Sequence, residues 1–325
     1  MLFIKKYLKL ILPKKFLKYL RAKINHDGYL LFLIPPLKFF FKFLPKKYLV
    51  KLVQLKILSH DYTYYYAIHR KERKKIMSTY DQDKFYLNIG GGFSENRHNW
   101  RILEYCPDPT LGVGYRYHHE LVDYNIDLML KKKWNIKDNS VDLIYTCHCL
   151  EHITQDAVNF VFIEAQRILE SNGIFRISVP DANLAYEALI NNNISFFNSF
   201  QSNEMPLNVK YNNEISASIE AEFLRFFCSF EIDRKNITSV KADIKNLKKE
   251  ILLDKYRDNH IINNDYHNHL NWFNYQKIKR MSEVSGFKKE KVILSKQKAS
   301  ISEEMRSHQF DKTAPNYSVF VDIVK

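Results

Sequence analysis

At 325 residues the chain can bury a sizeable core and exceeds one average domain, and 46% hydrophobic content excludes a disordered chain. Four cysteines (Cys106, Cys147, Cys149 and Cys228) form no C-x-x-C pair, which excludes a zinc ribbon or redox dithiol and fits reduced cytoplasmic thiols. The net charge of +14 is uneven: residues 1–80 hold 19 Lys/Arg against three acids, and the remainder holds 31 basic and 33 acidic groups.

That basic quarter is also apolar. Leu2, Phe3, Ile4, Leu8, Ile11, Leu12, Phe16 and Leu17 alternate with Lys5, Lys6, Lys9, Lys14, Lys15 and Lys18, and residues 30–57 repeat the theme. No run reaches about 18 uncharged apolar residues, so a transmembrane span is not expected. No small-residue cleavage site follows a single apolar core, so a secretory signal is not expected either. Two readings stand side by side: residues 1–57 lie on an anionic membrane surface, or they cap the rest of the protein with their lysines solvated. Nucleic acid is not expected, because the aliphatic partners suit lipid better than phosphate.

Residues 86–92 read Tyr-Leu-Asn-Ile-Gly-Gly-Gly, and they hold three of only 8 glycines in the chain. A short apolar strand that ends in glycines lets backbone approach a ligand, because no Cβ intervenes. Trp100-Arg101-Ile102-Leu103-Glu104 predicts a second strand ending in a carboxylate. Parallel α/β sheets hold an adenosine in this way, with the turn on its polar tail and the acid on the ribose hydroxyls. The nicotinamide fingerprint fails: Glu95 occupies its third glycine position, and residues 93–99 are too short for a crossover helix. No Walker loop follows. A nucleoside without pyrophosphate fits better.

Further strands are predicted around residues 122–128, at Val141-Asp142-Leu143-Ile144-Tyr145 and at Ile174-Phe175-Arg176-Ile177-Ser178-Val179. An amphipathic helix lies between the last two (Val158, Val161, Phe162, Ala165, Ile168, Leu169), with Asn172-Gly173 as its expected C-cap. The glycine turn, the strand ending at Glu104, Asp138-Asn139-Ser140-Val141-Asp142-Leu143-Ile144-Tyr145, Leu150-Glu151-His152 and Arg176-Ile177-Ser178-Val179-Pro180-Asp181 follow one another in order. In this order and wording the chain resembles class I S-adenosylmethionine-dependent methyltransferases, over about residues 84–187 and again near the C-terminus.

The resemblance implies an α/β fold: a Rossmann-like, seven-stranded methyltransferase sheet with a basic helical N-terminal extension and a helical cap insertion. It implies that Asn88, Gly90, Gly91 and Gly92 pack on the methionine part of S-adenosylmethionine, that Glu104 binds the ribose, and that Asp127 and Leu128 flank the adenine. Departures are Gly91, often another small residue in the family, Glu104 where aspartate is usual, and Trp134-Asn135 where leucine-proline is usual. None removes a needed functional group.

Past residue 186 asparagines accumulate, marking irregular connections. Residues 221–227 read as a short apolar helix, and Ile237, Val240, Ile244, Leu247 and Ile251 step along one helical face. The expected layout is an extension at 1–80, a cofactor-binding core at 81–190, a cap at 191–264 and a C-terminal completion at 265–325. The completion supplies a helix at 275–285 and strands at 291–294 and 318–324. Phe310-Asp311 matches a pair that often precedes the last strand in the resembling group.

Methyl transfer from a sulfonium needs in-line positioning, and a hydroxyl acceptor also needs a base. His148, His152, His269 and Asp181 are the candidates; the first two lie past the fourth strand's carboxyl end, where open parallel sheets bind ligands. His148-Cys149-Leu150-Glu151-His152 spells an inverted zinc-protease pattern, but it straddles a strand end instead of lying on one helix, so peptidase chemistry is not expected. Ubiquinone-pathway O-methyltransferases carry a similar Glu-x-x-Glu-His that binds a divalent cation; this chain matches Glu151 and His152 and has His148 for the first glutamate, so a cation at these three residues stays an open alternative and no metal ligand is assigned. The expected activity is O-methylation of a small-molecule or glycan acceptor, a cell-envelope saccharide or lipid-linked intermediate, by a cytoplasmic enzyme peripheral on the inner membrane face. The alternative is a membrane adaptor that keeps the fold without the reaction.

Overall fold

The computed structural model describes residues 48, 69–90, 99–106, 122–198, 218–227, 237–257 and 269–325. Gly91, Gly92, Cys228 and, apart from Tyr48, the basic residues 1–57 lie outside that set. The strands join one seven-stranded sheet in the order β3-β2-β1-β4-β5-β7-β6, the α/β arrangement expected from the motifs. The chain divides into two units, residues 1–83 with 92–126, and residues 84–91 with 127–325.

The first unit holds helix α1 (His69–Met77) and the parallel strands β2 (Trp100–Glu104) and β3 (Tyr124–Asn125). Arg73 is fully buried, donates to Trp100 O at 3.2 Å and pairs with the Asp123 carboxylate. Asp123 also accepts from Ile102 N at 2.7 Å and from the Tyr80 hydroxyl at 3.1 Å. One guanidinium thus ties α1 to both strands. Asn125 bridges the backbone N–H and C=O of Cys106, fixing the segment just past Glu104.

In the second unit, β1 (Tyr86–Ile89), β4 (Val141–Cys147) and β5 (Leu169–Pro180) run parallel. β7 (Ser318–Val324) returns antiparallel to β5 and to β6 (Val292–Ser295). All four residues of β1 are buried, as in a parallel strand covered on both faces. Helix α2 (Gln155–Ile168) buries Ala157, Val158, Val161, Phe162, Ala165 and Ile168 at helical spacing. It stops earlier than the Asn172-Gly173 signal implies. Leu169 pairs with Val141, and the last carbonyls are taken by Asn139 N, Ser140 N and Lys325 Nζ, so no glycine cap is needed. Asn172, at φ 67°, instead turns the chain at the bulge within β5.

Helix α3 (Ala182–Ile190) follows β5, and α4 (Ile219–Arg225), α5 (Ile237–Asn246) and α6 (Lys249–Tyr256) pack a second core with it. The helical face expected to run on to Ile251 breaks at Lys248, whose extended backbone caps α6. Beyond that break Leu252, Leu253 and Tyr256 turn inward and Ile251 is 55% exposed. Helix α7 (Tyr275–Val284) is capped by Asn274, whose side chain accepts from Lys277 N at 2.8 Å.

Arg176 of β5, fully buried, sits opposite Asp322 of β7 in the strand register. Its guanidinium donates to Asp322 at 2.9 Å, to Asp311 at 2.7 Å and to Lys296 O at 2.8 Å. Phe310 packs edge-on to Tyr145 of β4 at 4.9 Å. The recurring Phe310-Asp311 pair and Arg176 therefore form one latch, which holds the segment before β7 against the centre of the sheet.

Candidate functional site

Gly90 closes β1 at φ +68°, a conformation that disfavours any side chain. A Cβ placed there would also lie 2.2 Å from Sγ of Cys149. Beneath it Asn88 is buried opposite Tyr145, and Thr146 Oγ1 donates to Ile89 O at 3.1 Å. This tight glycine corner at a strand's carboxyl end fits the close backbone approach that a nucleoside cofactor needs. Asp127 caps the short 3-10 turn Leu128–Leu130 by accepting from Met129 N at 2.9 Å, and Leu128 is buried. In the first unit, Glu104 ends β2 and accepts from Tyr105 N at 3.0 Å. Burial, and then the Glu104 carboxylate, push the Cys106 thiol up to about 12.

β4 leaves the sheet at His148, which adopts φ 49°, a left-handed conformation uncommon outside glycine. Its N–H donates to Ser178 O at 2.9 Å, pinning the turn to β5. Both ring nitrogens are engaged: Nδ1 lies 3.2 Å from Glu151 Oε1 and Nε2 lies 2.8 Å from Ser318 Oγ. A 3-10 turn, Leu150–His152, buries Leu150 and carries Glu151 inward.

Glu151 is 1% exposed, and neither carboxylate oxygen has a hydrogen bond among the described residues. Imidazoles surround it. His152 Nε2 is 4.0 Å from Oε1, and the His152 and His269 rings meet edge to face at 4.9 Å. Backbone contacts bring His269 there: Leu270 N and Asn271 N donate to Glu151 O at 2.7 and 3.2 Å. His269 Nδ1 donates to Phe226 O at 2.6 Å. Burial raises the Glu151 carboxyl, but His148, His152 and His269 outweigh it and hold the group down at about 2.

Three of the four residues expected to do chemistry therefore converge on one carboxylate. Asp181 stands apart. It caps α3 by accepting from Asn183 N at 2.9 Å and makes no hydrogen bond or ion pair with a histidine among the described residues. Burial pushes its carboxyl above the usual range. Two roles escaped sequence reasoning: Glu151, weighed there only as a possible cation ligand with His148 and His152, is the centre of the cluster, and Ser318 is the partner of His148. A buried acid between two histidines was a signal for the first. Nothing in the sequence connects residue 318 to residue 148.

Residues 118–177 match the family described as "Methyltransferase domain". None of the curated proteins matches the sequence. Among solved structures, the chain is similar to a SAM-dependent methyltransferase from Archaeoglobus fulgidus, at 10% identity and TM-score 0.34, covering 86% of this chain and 99% of that one. It is similar to an S-adenosylmethionine-dependent methyltransferase from Mesorhizobium loti, at 10% identity and TM-score 0.34, over 78% and 96% of the two chains. A third is Haemonchus contortus phosphoethanolamine N-methyltransferase 2 in complex with S-adenosyl-L-methionine, at 12% identity and TM-score 0.33, over 86% and 57%.

Proposed function

We propose that this chain is a class I S-adenosylmethionine-dependent methyltransferase, and that it methylates a hydroxyl of a cell-envelope saccharide or lipid-linked intermediate using the cluster around Glu151. The cofactor supplies a methyl group on a sulfonium, which needs an aligned nucleophile and little covalent help. Asn88, Gly90, Gly91 and Gly92 hold its methionine part, Glu104 its ribose, and Asp127 with Leu128 its adenine. The buried, imidazole-ringed Glu151 carboxylate past the end of β4 is the observation that carries the hydroxyl reading. A sulfonium alkylates a thiolate or amine without such a device, whereas a neutral hydroxyl must be activated.

The cluster of His152, His269 and Glu151 activates that hydroxyl. His148 positions the carboxylate, since its own nitrogens are committed to Glu151 and Ser318. Asp181 shapes the start of α3. The envelope acceptor is supported by the group that the motifs resemble and by the basic, apolar residues 1–57. Among the described residues no helix is long and apolar enough to cross a membrane; residues 1–57 hold no run of about 18 uncharged apolar residues, and attachment through them would be peripheral.

The acceptor is found by mass spectrometry of envelope glycans and lipids from cells with and without the protein, seeking a lost methyl group. With it in hand, His152→Ala is expected to lower turnover about 10²–10⁴-fold while leaving cofactor affinity unchanged. Unchanged turnover would remove the cluster from the chemistry.

A further inference from the structure

We propose that Glu151, His152 and His269 form a binding site for a divalent first-row transition cation, of the kind that takes two imidazoles and one carboxylate. The proposal rests on the reading of this cluster as the acceptor site and says what activates the hydroxyl there.

One potential ligand atom from each of these three residues lies within 4.8 Å of the other two. Bonds of about 2.0–2.2 Å to nitrogen and oxygen place neighbouring ligands of a tetrahedral ion about 3.3–3.5 Å apart. An inward movement of about 1 Å closes that gap. His152 can make it, because its side chain is 26% exposed and stands at the rim of the cluster.

Three observations separate this set from a packed core. An ionised carboxylate buried without hydrogen bonds is costly, and Glu151 has none on either oxygen among the described residues. His148 Nδ1 meets Oε1 at 3.2 Å, and a bound cation would complete what that contact leaves undone. Second, His269 Nδ1 faces a backbone carbonyl at 2.6 Å, and a carbonyl only accepts. Nδ1 therefore carries the proton and Nε2 keeps the lone pair, which is how metal-bound histidines are oriented by an outer partner. Third, His148 supports the set from behind. Its Nδ1 orients Oε1 of Glu151 and its Nε2 is anchored on Ser318, whose hydroxyl lies 2.9 Å from Ala314 O.

Two nitrogens and one oxygen suit a transition cation better than magnesium, which prefers an all-oxygen shell. Three protein ligands leave at least one coordination position open. An acceptor hydroxyl bound there would release its proton to bulk water near neutral pH, as metal-bound water does, and its oxygen would then take the methyl group as the methyl–sulfonium bond breaks to leave a neutral thioether.

The test is calorimetric titration of the metal-stripped full chain with Zn²⁺, with Mg²⁺ titrated in parallel and S-adenosylmethionine affinity measured on the same samples. One Zn²⁺ per chain is expected, at least 100-fold tighter than Mg²⁺. His269→Ala and Glu151→Gln should each weaken Zn²⁺ at least 10-fold, while His308→Ala, at an exposed position, should not change it. His152→Ala serves where Glu151→Gln fails to fold, judged by whether it still binds S-adenosylmethionine. Absence of Zn²⁺ binding, equal binding by the cluster variants, or a preference for Mg²⁺ overturns the site. If Zn²⁺ binds as expected but the cluster variants keep full turnover, the cation site stands and the acceptor reading falls. If Zn²⁺ does not bind while His152→Ala loses turnover, the acceptor reading stands and the cation falls.

Discussion

Two groups of buried acids in the second unit are satisfied in opposite ways. Asp311 and Asp322 share the Arg176 guanidinium, and their remaining lone pairs take Lys298 N, Ser300 Oγ and Ile301 N at 2.7–3.1 Å. Glu151 is buried as deeply, yet no backbone N–H among the described residues reaches its oxygens and only imidazoles face it, His148 Nδ1 at 3.2 Å from Oε1. The chain completes the first set by itself, so that set belongs to the fold. The second is the set that we propose a ligand completes. Charge and burial alone do not separate the two; the count of donors does.

The largest expected effect falls on the first set. Arg176→Met strands two carboxylates in the centre of the sheet and should cost about 3–5 kcal/mol in urea unfolding. A loss below about 1 kcal/mol would mean that the latch is incidental and would blur the contrast with Glu151.

Lys277 lies between the extremes. It is 6% exposed, donates to Asn271 Oδ1 at 2.7 Å and Trp272 O at 2.8 Å, and stands 4.1 Å over the Trp272 ring. Burial lowers its pKa to about 7, with Asp254 opposing the shift. Between that value and the unfolded value of about 10.4 the unfolded chain binds more protons, so this lysine makes stability rise with pH across that window. At its steepest the slope approaches about 1.4 kcal/mol per pH unit. Unfolding free energies from pH 6.5 to 10, compared with those of Lys277→Met, isolate the contribution. Parallel curves would show that the lysine stays charged.

The smallest effect is the most diagnostic. Glu151→Gln, in metal-free buffer, should cost less than Arg176→Met, because it removes the imidazole attraction but no backbone hydrogen bond and strands no second carboxylate. A loss as large as that of Arg176→Met would make Glu151 structural.

Much of the sheet was legible because its signals are local. The apolar runs at β1, β4 and β7, the glycine at residue 90 and the turn at Leu150-Glu151-His152 each specify their own stretch of backbone. Misplaced boundaries arose where tertiary partners overrode local chemistry. Val141 captured Leu169 into the sheet before Asn172-Gly173 could cap α2, and Lys248 split a helical face that had looked continuous. Arg176 within the apolar run 174–179 was visible as an oddity, and its strand partner Asp322 was equally visible in the last strand. Only the register makes them a pair. His269 could be a candidate by residue type alone; its place beside Glu151 depends on amide contacts from residues 270 and 271, which no periodicity encodes.

We propose that Glu104 binds the ribose of S-adenosylmethionine. Calorimetric titration of the full chain with S-adenosylmethionine tests this directly, with Glu104→Ala alongside. One molecule per chain is expected for the wild type. The variant should bind about 10–100-fold more weakly, since two ribose hydroxyls lose their partner at a cost of roughly 1–3 kcal/mol. Equal affinity in the two proteins, or no binding by the wild type, would contradict it.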